Sequence, residues 1–228
     1  VVIMAGGRGT RLKELTDATP KPMLKVGSKP ILETIVESFV AQGFRRIVIS
    51  VNYRADQIEA HFADGRTFGA AISYLREPKR LGTAGALGLI DQRPDEPIVV
   101  TNADLLTRED FGRMLDEHQQ SGAVATMAVR EYEMQVPFGV VSVDDGRISG
   151  IEEKPVQRYL VSAGMYVLSP QALDHVPANT YLDMPTLFSS LIAAGLKTRC
   201  HDVTGYWLDI GRPPDLERAK ADYGDVFQ

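Results

Sequence analysis

Apolar strands and amphipathic helical segments alternate through the first half of this 228-residue chain, and no other feature constrains the fold as strongly. Apolar, largely β-branched runs at residues 1–4, 47–51 and 98–101 are typical of buried strands. Apolar residues at helical spacing predict helices at 30–42 and 55–62. The same pattern adds a strand at 71–75 and a helix at 83–91. We therefore expect crossover units and a largely parallel sheet, with ligands beyond the carboxyl ends of its strands.

The second half of the chain is richer in β-structure. Residues 138–143 and 147–151 flank the polar turn Asp144-Asp145-Gly146 and predict a hairpin. Further predicted elements are a strand at 163–168, a helix at 184–194, a strand that ends near Gly211 and a helix at 213–223. Together the two halves predict one mixed α/β domain with an inserted or appended β-rich ligand face.

Composition excludes several classes of protein. Hydrophobic residues make up 44% and charged residues 24%, as in ordinary globular proteins. No apolar run approaches the roughly 18 residues of a membrane span, and a net charge of -5 without a basic run disfavours nucleic acid as a partner. Cys200 is the single cysteine, which excludes an internal disulfide and fits a reducing, cytoplasmic compartment. Because Val1 lies inside a predicted strand, we expect residues ahead of it.

A glycine-rich loop, Gly6-Gly7-Arg8-Gly9-Thr10-Arg11, follows the first strand. Its spacing fits neither the dinucleotide fingerprint nor the P-loop, and alone it predicts only a connector. Here Lys21 follows Arg11 ten positions later, fixed between Pro20 and Pro22. Free backbone N–H groups beside two cations suit a polyphosphate. The alternative for Lys21 is a solvated lysine in an ordinary turn.

Two aspartates, Asp104 and Asp209, each follow an apolar strand. Two carboxylates aimed at one phosphate loop predict a Mg²⁺ site, because Mg²⁺ needs few protein ligands when substrate phosphates complete its shell. Taken singly, either aspartate is more typical of a turn or cap residue than of a metal ligand. Neither belongs to an Asp-X-Asp pair, which disfavours a metal-dependent glycosyltransferase. Glu153 and Lys154 could bind a sugar hydroxyl and a phosphate, or they could form an ordinary exposed ion pair.

Taken together, these motifs resemble the sugar-1-phosphate nucleotidylyltransferases. The resemblance covers almost the whole chain in the family's order and rests on residues 6–12, 19–22, 81–86, 102–104, 138–141, 152–155 and 207–211. One departure is Ala103, where the family commonly has a glycine before the metal aspartate; its methyl group narrows the approach but leaves the carboxylate in place. Residues 50–53 and 130–139 are similar to the subgroup in which this domain follows two CBS regulatory modules. That subgroup includes glucosamine-1-phosphate guanylyltransferases, so we expect a regulatory region ahead of Val1.

The resemblance implies a three-layer α/β/α nucleotidyltransferase fold with a mixed, mostly parallel central sheet and a β-rich sugar-binding face. The nucleotidyltransferase domain would cover residues 1–228, with a nucleotide-binding half at about 1–110 and a sugar-phosphate-binding half at about 111–228. The implied enzyme is cytoplasmic, requires Mg²⁺, and takes an NTP and a sugar-1-phosphate to an NDP-sugar and pyrophosphate. We expect no nucleic-acid or membrane partner. Whether the chain forms a homo-oligomer is left open by the sequence.

The resemblance also implies a role for each motif residue. Arg11 would neutralise the departing pyrophosphate, Lys21 would lie near the reacting phosphates, and Asp104 and Asp209 would hold Mg²⁺. The nucleotide would be bound by Ala5, Gly6, Gly7, Gly9, Thr10, Glu77, Gly82 and Thr83. The sugar phosphate would be bound by Gly139, Glu153, Lys154 and Tyr166.

Glu77 predicts the base. It lies five positions before Gly82, where an alignment by eye puts a glutamine in relatives that use thymidine or uridine nucleotides. A carboxylate only accepts hydrogen bonds, and guanine offers it two adjacent donors, N1–H and the 2-amino group. We therefore expect GTP as the preferred nucleotide. The alternative is an exposed glutamate at a strand end before Pro78.

Three other functions stay open at this point. One is a non-catalytic module of the same fold that senses nucleotide sugars; the presence of Arg11, Lys21, Asp104 and Asp209 favours an enzyme instead. A mannose- or heptose-1-phosphate guanylyltransferase is the second. The third is a glycosyltransferase, which the Pro-Lys-Pro segment at 20–22 and the missing Asp-X-Asp pair disfavour.

Overall fold

The computed structural model describes residues 1–227, apart from the side chains of residues 13 and 14. Its strands are β1 (Val2–Met4), β2 (Lys25–Val26), β3 (Lys29–Pro30), β4 (Arg46–Val51), β5 (Ala71–Arg76), β6 (Ile98–Asn102), β7 (Leu105–Thr107), β8 (Ala125–Gln135), β9 (Gly139–Asp144), β10 (Arg147–Glu153), β11 (Val156–Leu168), β12 (Thr198–Asp202) and β13 (Trp207–Asp209). Its α-helices are α1 (Ile31–Ala41), α2 (Ala55–Phe62), α3 (Gly82–Gly85), α4 (Phe111–Ser121), α5 (Met184–Ala193) and α6 (Pro213–Phe227). None of these helices is long and apolar enough to cross a membrane.

A seven-stranded sheet of order β12-β8-β11-β6-β1-β4-β5 forms the centre of the molecule. β11 runs antiparallel to both of its neighbours, and every other neighbouring pair in this sheet is parallel. The predicted mixed, mostly parallel sheet is confirmed. Crossover helices make this possible, since parallel neighbours need a long connection.

Helices cover both faces of the sheet. Successive residues of β1 point to opposite faces, so Ile3 belongs to one apolar core and Val2 to the other. The core around Ile3 includes residues of α1, α2, α4 and α6, whereas the core around Val2 includes residues of α5. This arrangement is the predicted three-layer α/β/α architecture.

A small antiparallel pair positions the two predicted metal ligands. β7 follows β6 after a two-residue turn and pairs with β13, with Asp209 opposite Leu105. The backbone N–H of Ile210 then donates to the carbonyl oxygen of Asp104 at 3.0 Å. Residues 105 positions apart in the sequence therefore lie side by side at the carboxyl edge of the sheet.

The predicted hairpin is confirmed as β9 and β10, which pair only with each other among the described strands. Together with the outer halves of β8 and β11 it forms a projecting β-arm, residues 131–161, most of whose side chains are exposed. The helix predicted at 83–91 is shorter than expected. It is α3 followed by a 3-10 segment, Ala86–Leu89, because Gly85 and Gly88 pack directly against the backbone of residues 177–180.

Candidate active site

The glycine loop forms one wall of a cavity of about 240 Å³ beyond the ends of β1 and β6. Four cationic side chains and one carboxylate line it, together with backbone of the loop: Arg8, Arg11, Lys21, Arg80 and Asp104. Such an excess of positive charge attracts a polyphosphate. The predicted loop residues Ala5, Gly7, Gly9 and Thr10 lie in this wall.

Two glycines, Gly9 and Gly211, lie beside the cations Lys21 and Arg11. Gly9 has a φ of +63°, and a Cβ atom there would lie 2.8 Å from the Cβ of Lys21. A Cβ atom at Gly211, just after β13, would lie 3.4 Å from a guanidinium nitrogen of Arg11. Because Gly9 lacks a side chain, Lys21 packs closely against the glycine loop, whereas a Cβ atom at Gly211 would make only an ordinary van der Waals contact with Arg11.

Lys21 is 7% exposed and lies in a short 3-10 segment, Lys21–Met23. Its ammonium group forms an ion pair and hydrogen bond with Oδ2 of Asp104. The alternative of a solvated turn lysine is therefore wrong. A buried lysine with a carboxylate partner is held in place, and this fixes a positive charge at the mouth of the glycine loop.

Asp104 and Asp209 each keep one buried oxygen, Oδ1, that finds no hydrogen-bond partner in the described part of the chain. Burial raises the pKa of Asp209, and the nearby charge of Asp104 raises it further, while Lys21 and Arg11 oppose the shift. Unsatisfied buried carboxylate oxygens fit a hard divalent cation. No cluster of three or more acidic, histidine or cysteine ligands exists among the described residues, so substrate phosphates would have to supply further ligands.

A second cavity of about 200 Å³ adjoins the first and contains Glu77, Gly6, Gly82 and Thr83. Glu77 is 8% exposed, so the alternative of an exposed glutamate is wrong. Its Oε1 accepts from Ser50 Oγ at 2.6 Å and its Oε2 accepts from the backbone N–H of Leu81 at 2.9 Å. A Cβ atom at Gly6 would lie 2.1 Å from Oε1, so any side chain at this position would displace the Glu77 carboxylate from these hydrogen bonds.

The turn around α3 is joined to the segment that precedes α5. The carbonyl oxygen of Leu182 accepts from the N–H groups of Ala84 and Gly85, at 2.9 and 3.0 Å. Gly82 has a φ of +82°, and a Cβ atom there would lie 2.5 Å from that same carbonyl oxygen. The glycines of the Leu-Gly-Thr-Ala-Gly motif therefore allow two distant segments to pack backbone against backbone.

A third cavity, of about 350 Å³, lies beside Asp209 and contains the predicted residue Tyr166. Tyr166 is buried, and its hydroxyl lies 2.9 Å from Ser162 Oγ. Trp207 forms another wall and donates from Nε1 to the carbonyl oxygen of Ala163 at 2.8 Å. Thr83, Asn102 and Asp183 line both this cavity and the second one, so the three cavities form one cleft.

Three predicted residues lie outside this cleft. Gly139, Glu153 and Lys154 are on the β-arm, where all three are exposed. Lys154 has a φ of +47°, just past the end of β10, and its ammonium group lies 3.9 Å from Glu153. The structure thus brings together the predicted loop, cations, aspartates and Tyr166, but not the arm residues.

Sequence reasoning missed Arg80 and Asp183. Arg80 lines the first and second cavities, and Asp183 the second and third. Arg80 precedes a recognised motif and could have been found from it. Asp183 lies just before α5, and nothing in the local sequence distinguishes it from an ordinary helix-capping residue.

A mixed sheet flanked by helices, with a cationic glycine loop and paired aspartates at its carboxyl edge, has the architecture of a nucleotidyltransferase. The family model described as "Nucleotidyl transferase" matches residues 1–226. The chain belongs to that family.

Curated relatives include enzymes for different nucleotides. The chain is 34% identical over 96% of its length to a UTP–glucose-1-phosphate uridylyltransferase of Synechocystis. It is 35% identical over 94% of its length to the catalytic subunit beta of a mannose-1-phosphate guanylyltransferase of Danio rerio. It spans only 61% and 62% of those two proteins.

Solved structures agree on the fold. A Bacillus anthracis protein assigned as a glucose-1-phosphate thymidylyltransferase superposes with a TM-score of 0.80 at 25% identity, covering 100% of this chain and 96% of that one. HddC from Yersinia pseudotuberculosis, in complex with GMP-PN, gives a TM-score of 0.74 at 24% identity over 97% of this chain and 98% of its own.

Proposed function

We propose that this chain transfers a nucleotidyl group from an NTP, with GTP preferred, to a sugar-1-phosphate and releases pyrophosphate. One observation carries the proposal. The glycine-loop cavity gathers Arg11, Lys21 and Asp104 next to Asp209, so cations for phosphates and carboxylates for a metal converge at one point. Family membership supports the same reaction class.

The chemistry requires little from the protein beyond placement. A phosphate oxygen of the sugar-1-phosphate attacks the α-phosphorus in line, the bond from the α-phosphorus to its bridging oxygen breaks, and pyrophosphate leaves. The nucleophile is already ionised, so no general base is needed. The barrier consists of repulsion between two anions and of their alignment, which Arg11 and Lys21 lower by charge and position.

Asp104 and Asp209 would hold Mg²⁺ through their unsatisfied oxygens. When bound, the ion would neutralise phosphate charge and help to align the phosphates. The residues present fit this role, because two carboxylates leave several positions for phosphate oxygens and water.

The preference for GTP rests on Glu77. Its two oxygens are oriented by Ser50 and Leu81, and an ionised carboxylate has acceptor capacity left after two hydrogen bonds. That capacity matches the adjacent N1–H and 2-amino donors of guanine, whereas the carbonyl oxygens of uracil would meet negative charge. Mannose-1-phosphate guanylyltransferases among the relatives are consistent with GTP, and the Synechocystis uridylyltransferase is the contrasting case.

The finer assignment follows the subgroup resemblance. We propose glucosamine-1-phosphate as the sugar, in a cytoplasmic pathway for glycan precursors, with mannose- or heptose-1-phosphate as the alternatives. The nucleotide would occupy mainly residues 1–110 and the sugar phosphate mainly residues 111–228. Gly139, Glu153 and Lys154 line none of the three cavities, and we propose that they contact the sugar phosphate when the β-arm moves toward the cleft.

The experiment is a matrix of five NTPs against glucosamine-, glucose-, mannose- and heptose-1-phosphate, with detection of pyrophosphate. Release that requires both substrates supports the transferase. A glycosyltransferase would release no pyrophosphate, and a sensing module would bind nucleotide or nucleotide sugar without turnover.

A further inference from the structure

Asp183 occupies the wall between the nucleotide side and the sugar side of the cleft. Its Oδ1 accepts from the backbone N–H of Thr83 at 3.0 Å, and its Oδ2 accepts from the hydroxyl of Tyr181 at 2.6 Å. The hydroxyl of Thr83 in turn accepts from the N–H of Met184 at 2.8 Å, which fixes the start of α5. The carboxylate is therefore held in one orientation, and Asp183 lines both the second cavity and the cavity beside Asp209.

The described charged side chains that line that cavity are all negative. Its described lining contains the carboxylates of Asp183 and Asp209 and no lysine, arginine or histidine. Asp209 has a partner in the proposed metal ion, but Asp183 forms no ion pair within 4.0 Å in the described part of the chain. Arg80, which attracts Asp183 from farther away, lines the first cavity and shares the second cavity with Asp183, but it does not line the third cavity. Its guanidinium carbon lies 5.9 Å from the centroid of the Tyr181 ring.

Asp183 is ionised. Burial acts to raise the pKa of its carboxyl group, but hydrogen bonds from Tyr181 and Thr83 hold the pKa below its usual value. A sugar that fills the cavity displaces water from this carboxylate, which is costly unless a donor or a positive charge replaces the water. A neutral hydroxyl supplies a hydrogen bond, whereas an ammonium group supplies both a hydrogen bond and the missing charge.

We propose that Asp183 determines sugar specificity by binding a positively charged amino group, so that the accepted substrate class is an amino sugar-1-phosphate with a free amine. This inference rests on the proposed nucleotidyl transfer and assigns a residue to the choice of sugar. It also predicts rejection of sugars that carry a carboxylate, because they would bring a third negative charge into the same cavity.

The test compares kcat/KM for glucosamine-1-phosphate, glucose-1-phosphate and N-acetylglucosamine-1-phosphate in the native protein and in Asp183→Asn. Asn keeps an acceptor for Thr83 but removes the charge. We expect the native protein to prefer the free amine over the other two sugars by at least about tenfold. Asp183→Asn should reduce that preference by about tenfold to a hundredfold while kcat/KM for glucose-1-phosphate changes little. Asp174→Asn, at an exposed carboxylate far from the cleft, is the matched control and should leave every ratio unchanged.

The outcomes separate this inference from the proposed function. Two outcomes with pyrophosphate release would overturn this inference but not the proposed function. One is a native preference for glucose-1-phosphate, and the other is an equal loss of kcat/KM for all three sugars in Asp183→Asn. Either would mean that Asp183 only holds Thr83 and Tyr181 in place. Absence of pyrophosphate with every pair of substrates would overturn the proposed function and this inference together. The native comparison needs no variant, so a native preference for glucose-1-phosphate overturns the inference even if Asp183→Asn folds poorly.

Discussion

Lys21 and Asp104 form a partly buried ion pair although they lie 83 positions apart in the chain. One comes from the glycine-loop side of the cleft and the other from the end of β6, so the pair joins the phosphate-binding loop to the proposed metal site. The remaining oxygen of Asp104 is buried without a partner among the described residues. The pair thus leaves one half of the carboxylate available for a cation.

Replacing Lys21 with Met keeps the length of the side chain and removes its charge. A lost charge-assisted contact costs about 1.5–3 kcal/mol, so kcat/KM should fall by about one to two orders of magnitude. The variant also leaves Asp104 without its ammonium partner. Lys25→Met, at an exposed lysine of β2, is the control and should keep native kinetics. Native kinetics in Lys21→Met would instead show that its charge has no role in turnover.

Replacing Asp209 with Asn should lower activity and raise the stability of the metal-free protein. The pKa of Asp209 is raised by burial and by Asp104, so its charge is unfavourable in the metal-free protein. Removing that charge should increase the free energy of unfolding without metal by about 1 kcal/mol, or about 2–4 °C in Tm. Turnover should fall by several orders of magnitude.

Calorimetry in EDTA and pyrophosphate release in Mg²⁺ measure these two quantities. EDTA should also abolish turnover in the native protein, and Asp104→Asn should lose activity without gaining stability, because it leaves Lys21 unpaired. Near-native rates in both Asn variants would contradict the proposal that the two aspartates hold the metal.

Glu77→Gln tests the base. The amide oxygen of the glutamine can accept from the N–H of Leu81, as Oε2 of Glu77 does, and its amide nitrogen can donate to Ser50 Oγ, so the packing beside Gly6 should survive. Without the carboxylate, the ratio of kcat/KM for GTP to that for UTP should fall at least about tenfold. Glu96→Gln, at an exposed glutamate, is the control. The base assignment is falsified if the native protein prefers UTP or dTTP, or if Glu77→Gln leaves the ratio unchanged.

His201 predicts a pH-dependent stability at the edge strand β12. Its two ring nitrogens lie 2.9 Å from Glu117 and 3.0 Å from Glu109, and its side chain is 2% exposed. The hydrogen bond with Glu109 raises the pKa of His201 against the effect of burial, and Glu117 adds to the rise. The stabilisation is therefore complete below the unfolded pKa of about 6.5 and is lost as pH rises through the folded value.

The measurement is urea unfolding of the native protein and His201→Gln. Removing the imidazolium leaves Glu109 buried with Arg113 as its remaining cationic partner, so the variant should lose about 2–4 kcal/mol at pH about 6. The loss should shrink at pH about 9, because the native imidazole gives up its proton as pH rises through its raised folded pKa. His175→Gln, outside the cluster, should show no such dependence. An equal loss at both pH values for His201→Gln would contradict a charged histidine in this cluster.

The sequence predicted the elements that are buried and regular. β1, β4 and β6 are apolar runs enclosed by helices, so their composition alone identifies them. The outer halves of β8 and β11 escaped prediction because they are exposed on both faces and carry a mixed polar pattern. α4 also escaped, although its N-terminal cap is ordinary: Asp110 accepts from the N–H of Arg113.

Site residues could be predicted where a local sequence motif indicates their chemistry. They could not be predicted where the site depends on contacts between segments that are distant in the sequence. Lys21 and Asp104 were each identified singly, but their ion pair exists only in the fold. Asp183 reaches the cleft because Gly82 and Gly85 permit close backbone packing, a relation without a local signal.

Transfer of the α-phosphorus is the most direct test of the central claim. GTP labelled at its α-phosphorus is incubated with glucosamine-1-phosphate, Mg²⁺ and the native protein, and the labelled products are separated. We expect the label to enter a sugar nucleotide in equal amount to the pyrophosphate released, and we expect Asp209→Asn to form neither product at a comparable rate. Label that stays in GTP with every sugar-1-phosphate, or that appears as GMP without a sugar nucleotide, would contradict nucleotidyl transfer to a sugar-1-phosphate.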